Sequence, residues 1–212
     1  IVHYVAPDNQ KIIVDSWACS SNVITVANYF NETNYVAAND SLVVVAGGVE
    51  GAITPTSSPG PTRDGRVKPD LGAPGDLTLS AAPPDLITSF LATQPYKLSA
   101  DSMHLRNGGT SMASRFVTCL VGLILSRRPE LTIDEVTNLM GATAKDLGDP
   151  GRDQLYGFGR VDAHQALVAD VVGIGKLGDG QQPRPAARAD PGVALAVVGN
   201  VGGGQRFVGF HD

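Results

Sequence analysis

The sequence predicts an α/β protein, in which helices flank a sheet, from the order of its apolar segments. Lys11–Trp17 and Asn22–Tyr29 are β-branched runs bounded by polar residues, which is the pattern of strands. Ser41–Ala46 is almost wholly apolar, which is typical of a strand covered on both faces, although a buried helix could show the same pattern. Met112–Leu125 is an unbroken apolar segment, and we expect a helix buried within the domain.

Composition narrows the functional classes. The chain has 212 residues, 42% of them hydrophobic and 17% charged, as expected for a globular domain. A net charge of -5 offers no basic field for phosphates, so nucleic acid is an unexpected partner. The apolar stretch Phe116–Leu125 is too short to cross a bilayer, which needs roughly 20 residues. Cys19 and Cys119 match no zinc spacing and are interpreted as two buried thiols.

Two further helices follow the apolar one. Thr132 and Glu135 form a T-x-x-E capping box, and the helix it opens should reach about Ala144 and pack on the preceding helix. Asp162 can cap a third helix after a Gly-rich turn. We therefore expect three successive helices in this part of the chain.

Two stretches of the chain are rich in glycine and proline, one in its interior and one at its C-terminal end. Ile53–Gly75 is rich in proline and glycine, which predicts an ordered loop with short extended pieces. Beyond Gly173 the sequence becomes Gly-, Pro-, Ala- and Arg-rich. We therefore assign residues 1–173 to the domain and 174–212 to a linker or tail.

The segment Gly109–Ser114 (GTSMAS) is the strongest candidate for chemistry. It places Ser111 between a glycine-rich approach and the first turn of the apolar helix. Free N–H groups and the helix dipole favour negative charge there, so the same turn could present a nucleophile and hold an oxyanion. The alternative is that Thr110 or Ser111 is only an N-cap, the commonest role of a hydroxyl at such a place.

The G-T-S-M-A sequence resembles the nucleophile motif of the subtilisin-like serine proteases, the subtilase family. Several other blocks, in the same order, are similar to segments of that family between about residues 10 and 170. They are Asn22–Val26, Ser57–Asp70, Ala73–Gly75, Ala144–Gly148 and Tyr156–Ala163.

The resemblance implies a fold and an activity. It implies the three-layer subtilisin-like α/β fold with a mainly parallel sheet, of which this chain supplies the C-terminal portion. It also implies a serine endopeptidase acting on polypeptides, extracellular or secreted, with Ser111 as the nucleophile. Gly109 and Thr110 would shape the substrate and oxyanion loop, and the Ser111 N–H would contribute to the oxyanion hole.

Other parts of the family's machinery are missing from the chain. No D-[ST]-G, H-G-T-H or A-A-G-N motif precedes Ser111, and none of the histidines lies in the family's histidine motif; they are His3, His104, His164 and His211. We expect the Asp, His and oxyanion Asn to come from a missing N-terminal half of the same domain. A serine without its base is a weak nucleophile, so the chain alone should show almost no turnover.

A noncatalytic subtilase-like binding or assembly module is the alternative. Arg115 and Phe116 stand where the family usually has Pro and His, Cys119 replaces a glycine, and Pro59 stands where Arg is usual. No cofactor is expected. Structural calcium is implied by resemblance alone, because the acidic loop containing Asp146 lacks EF-hand spacing and is interpreted as a solvated turn.

Overall fold

The computed structural model describes residues 11–172, 196–199 and 207–209. Its strands are β1 (Val23–Phe30), β2 (Asn34–Val36), β3 (Leu42–Val44), β4 (Leu71–Asp76), β5 (Thr78–Ala81), β6 (His104–Asn107), β7 (Ala196–Gly199) and β8 (Phe207–Gly209). Its helices are α1 (Pro84–Thr93), α2 (Thr110–Arg127), α3 (Ile133–Thr143) and α4 (Ala163–Val172), with a short 3₁₀ turn at Pro95–Lys97.

The main sheet confirms the predicted α/β class and the mainly parallel order. Its strand order is β4-β1-β7-β8, and β1 pairs in parallel with both β4 and β7. Only the β7–β8 pair is antiparallel among the described strands of this sheet. The β1 strand is buried along nearly its whole length, as expected for a strand flanked by parallel neighbours.

Helix α2 lies over this sheet and supplies one side of the core. Its buried face contacts β1 and β4, and α3 and α4 complete the cluster. The largest fully buried apolar side chains of this cluster are Ile24, Val26, Leu71, Val117, Val121, Ile124, Val136, Met140 and Phe158. The opposite face of α2 is not covered by the described residues, so the expected burial of this helix is confirmed on one face only. Cys119 lies on the exposed face and Cys19 is only partly buried, so the interpretation of both as buried thiols is wrong.

The helix signals in the sequence are largely confirmed. The Thr132 side chain accepts from the Glu135 N–H, and the Glu135 carboxylate accepts from the Thr132 N–H, which completes the capping box of α3. Asp162 accepts from the Gln165 N–H at 2.9 Å and caps α4. Helix α3 shares its core with α2 but packs mainly on α4, which corrects the predicted neighbour.

Lys11–Trp17 is not a strand. Ile12 has a φ of 57°, and Asp15 accepts from the Trp17 N–H, so the segment turns on itself. The N–H groups of Ile12 and Ile13 bond to the Pro59–Gly60 loop and not to a strand. The turn-forming Asp15 therefore overrides the β-branched composition around it.

Ser41–Ala46 is not a buried strand either. Its centre forms β3, which pairs with β2 in an antiparallel hairpin, and Leu42 and Val44 are 64% and 62% exposed. Asp40, with a φ of 58°, supplies the tight turn between the two strands. A local hairpin partner thus takes this run away from the main sheet.

Two strands lie within the segment that we assigned to a linker or tail. Ala196–Gly199 extends the main sheet beside β1, and Phe207–Gly209 pairs with it. The linker interpretation does not account for these strands. The rest of 174–212 lies outside the described residues, and the domain boundary near residue 173 stays a prediction.

Candidate active site

Ser111 is the second residue of α2, and the structure presents it at the helix N-terminus. The β5–β6 hairpin leads the chain to Gly108 and Gly109, and Gly109 forms the N-cap with φ 110° and ψ 168°. Its carbonyl accepts the N–H groups of Met112 and Ala113 at 2.9 and 3.4 Å. The N–H groups of Thr110 and Ser111 therefore have no carbonyl partner within the helix.

The N-cap alternative finds no support in this geometry. The N-cap is a glycine, and no side chain of the described residues caps α2. Thr110 is fully buried, and its hydroxyl has no hydrogen-bond partner in the described part of the chain. Ser111, by contrast, is partly exposed.

Tight backbone packing holds the glycine-rich approach against the end of β4. A Cβ on Gly108 would lie 2.1 Å from Asp76 Oδ1, and a Cβ on Gly75 would lie 2.7 Å from the Gly109 carbonyl oxygen. Gly109 also has a positive φ, which favours glycine. The A-P-G block and the G-T-S block, separate in sequence, are therefore in contact.

A buried polar cluster that the sequence analysis missed lies beneath this turn. Asn28 of β1 is fully buried, and its Nδ2 donates to Thr54 Oγ1 at 3.0 Å and to Asp76 Oδ2 at 3.3 Å. The Gly109 N–H also lies close enough to Asp76 to favour its ionised form. Burial raises the pKa of Asp76, and the Asn28 amide and the Gly109 N–H offset only part of that rise. An Asn within an otherwise apolar strand was the available signal.

The histidines are placed as follows. His104 is the first residue of β6, and its Nδ1 lies 2.6 Å from Asp101 Oδ2. His164 lies in the first turn of α4. His3 and His211 lie outside the described residues. The structure therefore gives no histidine partner to the Ser111 hydroxyl among the described residues.

A cleft of about 480 Å³ opens beside the first two turns of α2. On the helix side it is lined by Met112, Arg115 and Phe116, and on the other side by residues that include Glu32 and Arg106. Arg106 donates to Glu32 and to the Leu77 carbonyl oxygen. The unusual Arg115 is exposed and contacts the Met112 sulfur at 3.6 Å, so it lies along the cleft and outside the core.

The acidic loop after α3 uses its carboxylates within the chain. Asp146 accepts the Gly151 N–H at 2.8 Å, and Asp153 accepts the Asp149 N–H at 3.1 Å. In the described part of the chain, no group of three or more His, Cys, Asp or Glu side chains is arranged to hold a metal.

Among the described helices, none has the length and apolar character needed to cross a membrane.

Fold and site together define an α/β protein that presents a serine at the start of a core helix. The subtilase family matches residues 3–159, and the chain belongs to that family. Serine protease AprX of Bacillus subtilis is 32% identical over 164 residues, which cover 76% of this chain and 33% of AprX. Halolysin-like extracellular serine protease Nep of Natrialba magadii is 35% identical over 138 residues, covering 65% of this chain and 21% of Nep.

Among solved structures, the chain is similar to fervidolysin from Fervidobacterium pennivorans, a keratinolytic enzyme related to subtilisin. The two share 25% identity with a TM-score of 0.45, over 74% of this chain and 20% of fervidolysin. The chain thus spans a third or less of the length of these relatives.

Proposed function

We propose that this chain supplies the nucleophile of a serine endopeptidase, with Ser111 as the attacking residue. The observation that carries the proposal is a partly exposed serine at the start of α2 that does not cap the helix. Membership of the subtilase family supports it, and so do relatives named as serine proteases.

In the proposed reaction, Ser111 Oγ attacks the scissile carbonyl carbon as a base takes its proton. The first N–H groups of α2, which have no carbonyl partner within the helix, would hold the oxyanion, and Gly109 and Thr110 would shape that turn. The C–N bond then breaks, the leaving amine takes the proton, and water hydrolyses the acyl-enzyme. We assign no cofactor to these steps, and calcium stays a prediction from the family.

We further propose that the base, its Asp and the oxyanion Asn come from another part of the same catalytic domain. The outward face of α2 supports this, because Phe116 and Leu123 are 40% and 54% exposed and Cys119 lies exposed between them. An apolar stripe on the central helix of a domain is expected to be covered. The chain by itself should accordingly show almost no turnover.

Covalent labelling tests the role of Ser111. A fluorophosphonate, which reacts with activated serines, should label the natural full-length polypeptide at Ser111, and Ser111→Ala should abolish the label. Ser126→Ala is the matched control, because Ser126 is exposed on the same helix and donates to the Leu123 carbonyl oxygen. Labelling that persists in Ser111→Ala would overturn the proposal.

The second candidate is a noncatalytic subtilase-like binding or assembly module. It is favoured by Arg115, whose cation stands in the second turn of α2, near the end of the helix dipole that favours negative charge. An upstream reading frame without the His motif, together with a full-length polypeptide that takes no label, would support this candidate. Finding Asp, His and Asn motifs upstream would favour the peptidase.

The location of the protein is also a proposal. The relatives include an extracellular serine protease of Serratia marcescens and the extracellular Nep, and on that basis we propose that the polypeptide carrying this chain is exported. Its detection in the medium fraction of the native host would support export, and its confinement to the cell interior would contradict it.

A further inference from the structure

We propose that Asp76 is a positioning residue for Ser111: held by Asn28, its carboxylate accepts the Gly109 N–H and fixes the turn that begins α2. Because Ser111 is itself a proposed nucleophile, this role deepens the proposed function and rests on it. The contact between Asp76 and Gly109 is nevertheless a structural claim that can be measured without any reaction.

An irregularity in the sheet places Asp76 at the turn. Along the β1–β4 pair, Tyr29 is opposite Pro74 and Phe30 is opposite Asp76, so Gly75 is an extra residue in β4. Such a bulge shifts the side chains beyond it to the other face of the strand and increases the local twist. It therefore re-aims the last side chain of β4, that of Asp76.

Close packing leaves the carboxylate little freedom. A Cβ on Gly108 would lie 2.1 Å from Asp76 Oδ1, so the carboxylate occupies the space beside the Gly108 backbone. On its other side, Asn28 Nδ2 lies 3.3 Å from Asp76 Oδ2. Asp76 is thus placed between the centre of the sheet and the turn before Ser111.

A second layer of hydrogen bonds orients Asn28. Its Nδ2 donates to Thr54 Oγ1 at 3.0 Å, and Thr54 Oγ1 lies 2.8 Å from Thr56 Oγ1. Its backbone N–H donates to Ser57 Oγ at 3.1 Å. The loop after β3 therefore holds the amide whose nitrogen faces Asp76.

The surroundings make this contact sensitive to pH. Burial raises the pKa of Asp76, and the donors that favour its ionised form are the Asn28 amide and the Gly109 N–H. Neither is charged, and no Lys, Arg or His of the described residues contributes to the shift. As the pH falls through this raised pKa, the carboxyl takes up a proton and becomes a weaker acceptor for the Gly109 N–H.

Amide hydrogen exchange in the chain of 212 residues tests the contact directly. The Gly109 amide should be protected at neutral pH and should lose protection as Asp76 protonates, after correction for the intrinsic pH dependence of exchange. Asp76→Ala should remove that protection at every pH. Asp76→Asn, which keeps an acceptor oxygen, should restore part of it and abolish its pH dependence. Asp85→Asn, at an exposed carboxylate of α1, is the matched control.

Fluorophosphonate labelling of the full-length polypeptide separates the two proposals. If Asp76 positions Ser111, Asp76→Ala should slow labelling by about 10- to 100-fold, since a small misplacement of a reacting group costs rates of that order. Unchanged Gly109 protection in Asp76→Ala, or an unchanged labelling rate, overturns the role of Asp76 while Ser111 stands. Loss of Gly109 protection in a polypeptide whose Ser111 is never labelled supports the contact and overturns the proposed function. Should Asp76→Ala fail to fold, a pH-dependent Gly109 protection in Asp76→Asn would overturn the role of Asp76.

Discussion

The carboxylate of Asp70 links three parts of the chain that carry subtilase-like blocks. Asp70 is fully buried, and its Oδ2 accepts the Thr25 N–H of β1 at 2.8 Å and lies 2.5 Å from Lys68 Nζ. Its Oδ1 accepts from Arg152 at 2.9 Å. The guanidinium of Arg152 in turn stacks on the Phe158 ring at 4.4 Å. Among the described residues, Lys68 and Arg152 thus offset the negative charge of the buried Asp70, between the sheet and the loop after α3.

Replacing Lys68 should therefore destabilise the fold strongly. Lys68→Met removes one of the cations that the described residues place on the buried Asp70, and breaking a buried pair typically costs about 3–5 kcal/mol. The free energy of unfolding from urea titrations measures the loss. Arg66→Met is the control, because Arg66 pairs with an exposed Asp64 and exposed pairs contribute little. Equal losses in the two variants would contradict a special role for the buried pair.

Among individual residues, Ser111 could be predicted from the sequence as the candidate nucleophile, but the polar residues around it could not. The position of Ser111 follows from a motif that spans consecutive residues, so it can be recognised without knowing the fold. Asn28 and Asp76 acquire their roles only when β1 pairs with β4 and the bulge at Gly75 turns Asp76 towards Gly109. Such contacts depend on register, which no local pattern reveals.

Helix α3 carries a glycine whose role is to admit an aromatic ring. A Cβ on Gly141 would lie 2.7 Å from Phe158 Cδ2, and Phe158 is almost fully buried in the main core. Helix propensity alone would favour alanine at this position by about 1 kcal/mol. The close approach of the ring should outweigh that preference.

Gly141→Ala should accordingly destabilise the protein, by about 1–3 kcal/mol as for other overpacked cores. The comparison that isolates the cause is a double-mutant cycle with Phe158→Leu, followed by urea unfolding. In the Phe158→Leu background, Gly141→Ala should cost much less than in the native sequence. The same cost in both backgrounds would show that the ring is not the obstacle.

Helices were easier to predict than strands, and the reason is local. The ends of α3 and α4 follow from caps that involve residues three apart, Thr132 with Glu135 and Asp162 with Gln165. The strands depend on partners far along the chain. Ser41–Ala46 has the composition of a buried strand, yet its nearest partner is β2, and the hairpin remains at the surface.

For the whole molecule, the described core covers only one face of α2. Helix α2 packs one face on β1 and β4, while its other face keeps Phe116, Cys119 and Leu123 exposed. The chain also spans only 33% of AprX. Both observations agree with the proposal that further chain covers α2 and supplies the base for Ser111. The sequence indicated this from its missing motifs, but the exposed stripe required the structure.

The exposed stripe should dominate the surface behaviour of the chain expressed alone. Phe116→Gln with Leu123→Gln should lower the binding of a hydrophobic dye and reduce self-association measured by light scattering, because both side chains lie exposed on the same face of α2. Leu91→Gln with Met103→Gln is the matched control, since these side chains are similarly exposed but lie on α1 and on the turn before β6. If the control pair lowers dye binding as much, the patch on α2 has no special character. If only the α2 pair lowers dye binding, a second experiment follows. Adding the remaining part of the proposed catalytic domain should then suppress dye binding by the native chain, because it would remove the same apolar surface of α2 from water.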